Sequence, residues 1–293
     1  MYYHPNYKGK EVHFLRQVDD FAVSCIDEKI VKDIITCIDQ KMNIKIKLLG
    51  YIKRFNGVDV TQSSHFIEIS THTYIAKILK DKPWISSPSH ISPIPMNPDN
   101  IYNHNLEQLE PLTGHDLKVV EDEYGFSYKQ GIGEVIYAMV TCRPDISFPL
   151  IKLSQYSSKP AKDHFEAVKQ LYLYLQSTKD DGIYYWRPTP RHDLPLSVIP
   201  VCRHQKNYDV TTRTECDPFL LRTSVDSDFA SDTSHRKYVT GINIKIAGGT
   251  IFYKRKFQDT VALSSTEAEF IAACDAGKPI LYVRSILQDL GID

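Results

Sequence analysis

Two adjacent aspartates, Asp19 and Asp20, lie between two short runs of β-forming residues in the stretch EVHFLRQVDDFAVSCI. This layout predicts a β-hairpin with two carboxylates near its tip. Carboxylate oxygens at a tight, exposed turn can bind a divalent cation. Two-metal phosphoryl transfer needs carboxylates from separate elements that converge on ions ~3.5–4 Å apart. Acids are also common in solvated turns, so the pair alone leaves both interpretations open.

A second set of acids occurs near the end of the chain. Asp226 and Asp228 are two residues apart on a predicted strand, so their side chains point to the same face. Glu267 and Glu269 open the following predicted helix, where the helix dipole stabilises their charged forms. One strand acid and one helix acid that converge would supply half of a metal site. The alternative is an acidic edge strand followed by ordinary N-terminal helix acids.

A compact basic run, Lys254, Arg255 and Lys256, lies between these two pairs of acids in the sequence. Basic residues on a strand beside a metal site are the arrangement expected for contacts to nucleic-acid phosphates. A solvated strand edge is the alternative. The run is therefore a candidate nucleic-acid contact.

The elements that must position the first acids form an α+β unit. Residues 11–69 show the order strand, strand, helix, strand, strand, and the predicted helix Glu28–Gln40 carries isoleucines and a valine at helical spacings. The stretches LLGYIKRFNGVDVTQ and SHFIEIS each predict one strand.

Proline-rich stretches divide the remainder of the chain. Six prolines lie within residues 82–111 and four within residues 187–200, which predicts linkers. Between them, Asp163–Gln176 is the clearest helix, with Asp163 and Glu166 spaced as a capping box. The last unit predicts three strands and a helix capped by Ser264 or Ser265. The predicted division is an α+β unit, a linker, a helical unit, a second linker and an α/β unit, at residues 1–81, 82–111, 112–186, 187–222 and 223–293.

Composition excludes some classes of function. With 42% hydrophobic and 24% charged residues in 293, the chain is typical of a globular protein and not of a disordered one. A net charge of -1 gives no global attraction to nucleic acid, so such contacts must come from local basic patches. No apolar run approaches the ~20 residues of a membrane span, and six cysteines without a C-x-x-C pair are typical of a reducing compartment. We expect an intracellular protein without a membrane partner.

The chain resembles a known family in three collinear blocks. DSDFASDTSHRKYVTG followed by KRKFQDTVALSSTEAEF resembles the ribonuclease H region of copia-type LTR retrotransposon Pol polyproteins. RPDISFPLIKLSQYSSKPAKDHFEAVKQLYLYL is similar to the helical stretch that joins reverse transcriptase to ribonuclease H. VDDF followed by KIKLLGYIKRFNGVDV resembles the end of the reverse transcriptase palm. The resemblance implies a palm fragment at 1–81, a helical thumb or connection at 112–186 and an incomplete ribonuclease H-like α/β unit at 223–293.

The resemblance also implies roles for particular residues. Asp19 and Asp20 match the metal-binding aspartates of the family's Y-V-D-D turn, with Gln17 in place of the tyrosine. Asp226 matches the first ribonuclease H carboxylate, and Glu269 matches the helix glutamate of S-S-T-E-A-E. The implied chemistries are RNA-directed DNA synthesis on a primer-template and hydrolysis of RNA in an RNA–DNA hybrid. Each would use two Mg²⁺ ions, with Mn²⁺ as a substitute.

The same resemblance implies that catalysis needs more than this sequence contains. The polymerase needs a further aspartate and fingers upstream, and ribonuclease H needs aspartates beyond the last helix, which we also expect Gly277 and Pro279 to interrupt. We therefore expect the isolated chain to be inactive and to depend on the missing Pol segments. Two functions stay open: a reverse transcriptase with ribonuclease H when joined to those segments, or a non-catalytic remnant that binds nucleic acid weakly. Family resemblance implies cytoplasmic particles and the nucleus as locations.

Overall fold

The architecture is α+β, as the sequence predicts. A computed structural model describes residues 1–43, 45–82, 84–85, 92–97, 106, 109–190, 193–194, 220–228 and 238–292. Within these residues the strands form three antiparallel sheets, of three, four and three strands. Among the same residues, no helix combines the length and apolar content needed to cross a membrane.

The first sheet is an N-terminal meander followed by a helix. Its strands pair in sequence order, and Asp27 caps the helix by accepting a hydrogen bond from the backbone N–H of Lys29 at 2.9 Å. The predicted hairpin and helix are confirmed, and one further strand precedes them. The elements are β1 (Tyr2–Tyr7), β2 (Lys10–Gln17), β3 (Asp20–Ser24) and α1 (Glu28–Met42).

The second sheet departs from the prediction in two ways. The stretch expected as one strand is a hairpin, because Asn56 and Gly57 form a turn with φ of 49° and 80°, the positive values of a tight hairpin turn. The fourth strand comes from far along the chain, with Phe66 paired to Trp186. The elements are β4 (Arg54–Phe55), β5 (Val58–Gln62), β6 (Phe66–Ser70), the helix α2 (His72–Lys80) and β7 (Ile183–Trp186).

The largest hydrophobic core lies among the helices. Side chains from α2 and from the later helices form one cluster, in which Val168, Leu171 and Leu175 are fully buried. The helix predicted at Asp163–Gln176 is confirmed together with its buried face. The helices after α2 are α3 (Gly114–Tyr124), α4 (Tyr128–Cys142), a short 3₁₀ helix (Pro144–Ile146), α5 (Ser147–Ser154) and α6 (Lys162–Ser177).

The start of α6 differs from the predicted capping box. The N-cap is Ala161, so His164, and not Glu166, occupies the third helical position. The His164 ring accepts a hydrogen bond at Nδ1 from the Ala161 N–H at 2.8 Å, and its Nε2 lies 2.8 Å from the carbonyl oxygen of Leu106. The ring stacks on Tyr156 with centroids 3.9 Å apart. A buried histidine therefore supplies the cap that the sequence assigns to acids.

The predicted linkers lie partly outside the described residues. In the described parts of 82–111, Lys82, Met96 and Leu106 are buried, and Met96 and Leu106 belong to the helical core. Most of 187–222 falls outside the described residues. The division into units stays a prediction, while the pairing of β6 with β7 joins residues from both sides of 82–111 in one sheet.

The C-terminal unit is a three-stranded sheet covered by one helix. Residues 240–253 alternate as a strand, a Gly248–Gly249 turn and a second strand, which predicts a hairpin. The hairpin is present, with Ala247 and Gly248, one residue earlier, as its turn. The helix is continuous, so the expected interruption at Gly277 and Pro279 is wrong. Ala272 and Val283, which flank the proline, are both buried, and such tertiary packing overrides local propensity. The elements are β8 (Arg222–Asp228), β9 (Val239–Ile246), β10 (Gly249–Phe257) and α7 (Ser265–Asp289).

A buried guanidinium joins the helices. Arg143, 2% exposed, donates from Nε and Nη2 to the two carboxylate oxygens of Asp145 at 3.0 and 2.7 Å. Its Nη1 and Nη2 donate to the carbonyl and hydroxyl oxygens of Thr178 at 3.0 and 2.7 Å. Tyr174 donates to the same carboxylate at 2.9 Å. The cluster ties the end of α4 to the end of α6.

We expect Arg143→Ala to lower the free energy of unfolding by roughly 3 kcal/mol, because removing one partner of a buried pair leaves the other uncompensated. The value is at the low end since the Asp145 side chain is 38% exposed. Arg143→Lys should recover only part of the loss, because a lysine cannot form the bidentate fork. Denaturant unfolding measures both variants. The control is Lys162→Ala, which breaks an exposed pair with Glu123 and should cost less than about 1 kcal/mol; equal losses in the two alanine variants would contradict the prediction.

His164 should make stability depend on pH. Burial lowers the pKa of its imidazole below the ordinary 6.5, so between the two pKa values the unfolded chain binds more protons than the folded chain. Stability from this group is therefore complete above about pH 6.5 and falls as the pH drops toward the folded pKa. Unfolding free energies measured across this window should lose part of their pH slope in His164→Gln. They should keep it in His115→Gln, an exposed control; an unchanged slope in His164→Gln would exclude this role.

Candidate functional site

The aspartate pair lies where the sequence predicts, at the tip of the β2–β3 hairpin. Gln17 pairs with Asp20, so Val18 and Asp19 form the turn. Val18 has a φ of 53° and is 72% exposed, an uncommon conformation for a β-branched residue. Arg16 donates from Nε to the Val18 carbonyl oxygen at 3.2 Å. Both carboxylates are exposed at the tip, accessible to a cation or to solvent, and their metal-binding role stays a prediction.

Asp226 lies in β8 and is exposed. Its neighbour Val225 packs against the cluster formed by Ile242, Ile244 and α7. Because side chains alternate along a strand, Asp226 points to the face away from α7. The side chain of Asp228 lies outside the described part of the chain.

Glu269 is exposed near the start of α7, one residue after the fully buried Ala268. Glu267 instead takes part in capping the helix. Its N–H donates to the N-cap Ser264 Oγ at 3.1 Å, and its carboxylate accepts from the Leu263 N–H at 2.7 Å. This is a form of capping box and confirms the predicted serine cap. Glu267 therefore stabilises the helix start, and the metal-binding role of Glu269 stays a prediction.

The carboxylates do not form a complete metal site by themselves. In the ranges that the structure describes, no group of three or more His, Cys, Asp or Glu side chains is placed to hold a metal ion. The Asp19–Asp20 tip is one candidate position. Asp226 and Glu269 are a second candidate pair, but strand alternation directs Asp226 to the face of β8 opposite α7, the helix that carries Glu269. A divalent ion at either one would need ligands besides these carboxylates.

The basic run is divided between the two faces of β10. Lys254 and Lys256 are exposed and alternate with Arg255, which is half-buried and lies over the Phe148 ring at 4.0 Å. Lys256 forms an ion pair with Asp259 at 2.8 Å, and the hydrogen bond to that carboxylate raises the pKa of the lysine. Lys254 and Lys256 therefore share one face of β10 and Arg255 lies on the other. The phosphate-contact role of the run stays a prediction.

Sequence reasoning missed a second basic segment, residues 41–54, which runs from the last turn of α1 to the first residue of β4. Its five basic residues are all exposed, and residues 41–58 contain no Glu and no Asp. Leu49 and Tyr51 are 78% and 55% exposed within it. Charge counting over short windows, in place of whole-chain net charge, would have found this segment. The basic residues are Lys41, Lys45, Lys47, Lys53 and Arg54.

Known proteins similar to this chain include Pol polyproteins of plant transposons. The Pol polyprotein of transposon TNT 1-94 from Nicotiana tabacum is 30% identical over 264 residues, 83% of this chain and 17% of that protein. The Pol polyprotein of transposon RE2 from Arabidopsis thaliana is 23% identical over 282 residues, 96% of this chain and 16% of that protein. Secreted RxLR effector protein 161 from Plasmopara viticola is 30% identical over 156 residues, 53% of this chain and 90% of the effector.

Neither a family model nor a solved structure matches the chain. The chain spans less than a fifth of the two Pol polyproteins described above. The similarity nevertheless extends over most of this chain and confirms the family that the three sequence blocks predict. Over most of its length the chain is therefore similar to retrovirus-related Pol polyproteins of copia-type retrotransposons.

Proposed function

We propose that this chain is the part of a retrotransposon Pol polyprotein that spans the end of the reverse transcriptase palm, a helical connection and the start of a ribonuclease H unit. Its reactions would be RNA-directed DNA synthesis and hydrolysis of RNA in an RNA–DNA hybrid. The observation that carries the proposal is the exposed Asp19–Asp20 pair at a hairpin tip, within a chain similar to Pol polyproteins over most of its length. The cytoplasmic and nuclear locations of the family belong to the same proposal.

The proposed cofactor is Mg²⁺, with Mn²⁺ as a substitute. Asp19 and Asp20 would supply ligands to the polymerase site, and Asp226 and Glu269 would supply ligands to the ribonuclease H site. Because the described residues group fewer than three such ligands, the remaining ligands would come from other Pol segments. Loss of ligands removes most of the electrostatic stabilisation of a phosphoryl-transfer site. We therefore propose that the isolated chain is catalytically silent.

A second candidate function is nucleic-acid binding without catalysis. The exposed basic segment 41–54 favours it, since residues 41–58 hold no acid. Exposed Lys254 on β10 adds one further cation. Contacts of this kind bind phosphates and displace condensed counterions, which gives affinity without base sequence preference.

Replacing the corresponding segment of an active Pol polyprotein by this chain tests the enzyme proposal. We expect the chimaera to extend a primer on RNA and to cleave a labelled hybrid with Mg²⁺. Asp19→Asn should reduce extension, and Asp226→Asn and Glu269→Gln should reduce cleavage, each by ~100-fold or more, because a charged ligand is removed. Glu11→Gln on β2 and Asp275→Asn on α7 are the matched controls and should stay active.

Two outcomes would contradict the proposal. Cleavage by the chimaera that survives both Asp226→Asn and Glu269→Gln would reject these residues as ligands. Steady Mg²⁺-dependent extension by the isolated chain, abolished by Asp19→Asn, would overturn its catalytic silence.

The basic segment predicts a salt-dependent affinity. In the isolated chain, a combined Lys45→Gln, Lys47→Gln and Lys53→Gln variant should bind a labelled single strand more weakly. The slope of log affinity against log salt should shrink by about 0.7 for each phosphate that the variant no longer neutralises. Fluorescence anisotropy between about 50 and 200 mM salt measures this. Lys29→Gln with Lys32→Gln on α1 is the control, and an equal change in both variants would show only a general charge effect.

A further inference from the structure

The C-terminal sheet lies against strand β7 through backbone and aromatic contacts. The backbone N–H of Trp186 donates to the carbonyl oxygen of Ala247 at 2.8 Å, and the Tyr185 hydroxyl donates to the carbonyl oxygen of Thr250 at 2.8 Å. A Cβ on Gly248 would lie only 2.8 Å from Cδ1 of Trp186. The indole therefore packs directly on the turn between β9 and β10. We call these contacts, with those of Tyr253 and Arg255, the seam.

The rest of the seam comes from one face of β10. The Tyr253 hydroxyl donates to the carbonyl oxygen of Met139 on α4, and burial raises the pKa of this phenol to about 12. Arg255, two residues on and therefore on the same face, places its guanidinium 4.0 Å from the ring centroid of Phe148 on α5. Lys254 lies between them on the opposite face, beside Ile242, which packs against α7. Because β10 is an edge strand of its sheet, Lys254 is nevertheless exposed, whereas Arg255 is half-buried against the helical core.

Arg255 also shares a row of the sheet with the candidate carboxylate. Asp226 pairs with Gly241, and Gly241 pairs with Arg255. Gly241 has no side chain, so no side chain separates Asp226 from Arg255 on that face of the sheet. Whatever fixes Arg255 against the helical core therefore also fixes the strand row that carries Asp226.

We propose that Arg255 is a positioning residue that fastens the C-terminal sheet to the helical core by stacking on Phe148, and is not a phosphate ligand. Its planar guanidinium is the required chemistry, because a ring face attracts a flat, weakly hydrated cation that can stack on it. The fastening itself does not depend on the proposed enzyme activity. Only one consequence of the fastening rests on the proposed ribonuclease H function: that Asp226 is held in a fixed place relative to a bound RNA–DNA hybrid.

Fluorescence of the full chain tests the fastening. The chain has two tryptophans, so Trp84→Phe leaves Trp186 as a reporter at the seam. In Arg255→Gln and Phe148→Leu made in this background, we expect the Trp186 emission change to occur at lower denaturant than the loss of helical circular dichroism. In the background chain, in Phe148→Tyr and in Lys254→Gln the two transitions should coincide, because the stack is intact.

Arg255→Lys separates stacking from charge. It should behave as Arg255→Gln does in unfolding, since an ammonium has no planar face. A phosphate ligand would instead be rescued by lysine, and Arg255→Gln would reduce the salt slope of hybrid binding by about 0.9, as is expected of Lys254→Gln. Rescue by lysine together with this loss of salt slope would overturn the proposal. So would unfolding of both Arg255→Gln and Phe148→Leu in which the Trp186 emission and the helical circular dichroism change at the same denaturant concentration.

The chimaeric Pol polyprotein separates this proposal from the function on which its consequence rests. If the chimaera is active, Arg255→Gln should lower kcat for hybrid cleavage at least ~10-fold with little change in KM, as expected when positioning and not binding is impaired. An unchanged kcat would overturn the positioning of Asp226. If the chimaera itself is inactive, the proposed function fails, while the unfolding measurements still decide the fastening.

Discussion

The buried guanidinium of Arg143 is the constraint on which the rest of the structure depends. A charge at 2% exposure is costly unless it is paired and hydrogen-bonded, and here Asp145 and Thr178 together accept four hydrogen bonds from it. Thr178 directly follows α6, and β7 begins five residues later at Ile183. Satisfying one buried cation therefore also sets where the chain enters β7.

Strand β7, whose start is set by this cluster, contacts two sheets. Its four residues pair with β6 along one side, and the Trp186 N–H reaches the carbonyl oxygen of Ala247 in the C-terminal hairpin. Glycine at positions 248 and 249 lets Trp186 and Tyr185 pack on the hairpin backbone, where a Cβ would clash. One short strand therefore contacts both sheets, in addition to the direct contacts of Tyr253 and Arg255 with the helical core.

Local patterns predicted the elements whose signals lie within a few residues. The β2–β3 hairpin, α1, α6 and the serine cap of α7 follow from periodicity and turn chemistry. The pairing of Phe66 with Trp186 could not be predicted, because strand register across more than a hundred residues has no local signature. The cap at His164 was missed for a similar reason, since its other partner, the Leu106 carbonyl, is distant in sequence.

The candidate site shows the same division. The position of Asp19 and Asp20 at a hairpin tip was readable from the sequence, whereas the assignment of Arg255 to the protein side of β10 required knowing that Phe148 lies beneath it. Glu267 could have been recognised from its spacing to Ser264, since S-x-x-E is a capping signature. Its companion Glu269 is exposed and makes no contribution to that cap.

Charge links the basic segment at residues 41–54 to the Asp19–Asp20 tip. With a net charge of -1, the chain can attract a polyanion only through local segments such as residues 41–54. The Asp19–Asp20 tip has the opposite effect, because two carboxylates at one exposed turn repel a phosphate backbone. Nucleic acid can approach that tip closely only if a cation offsets the repulsion. If the proposed metal and nucleic-acid sites both exist at this tip, their binding equilibria would be linked, and each ligand would strengthen the binding of the other by the same factor.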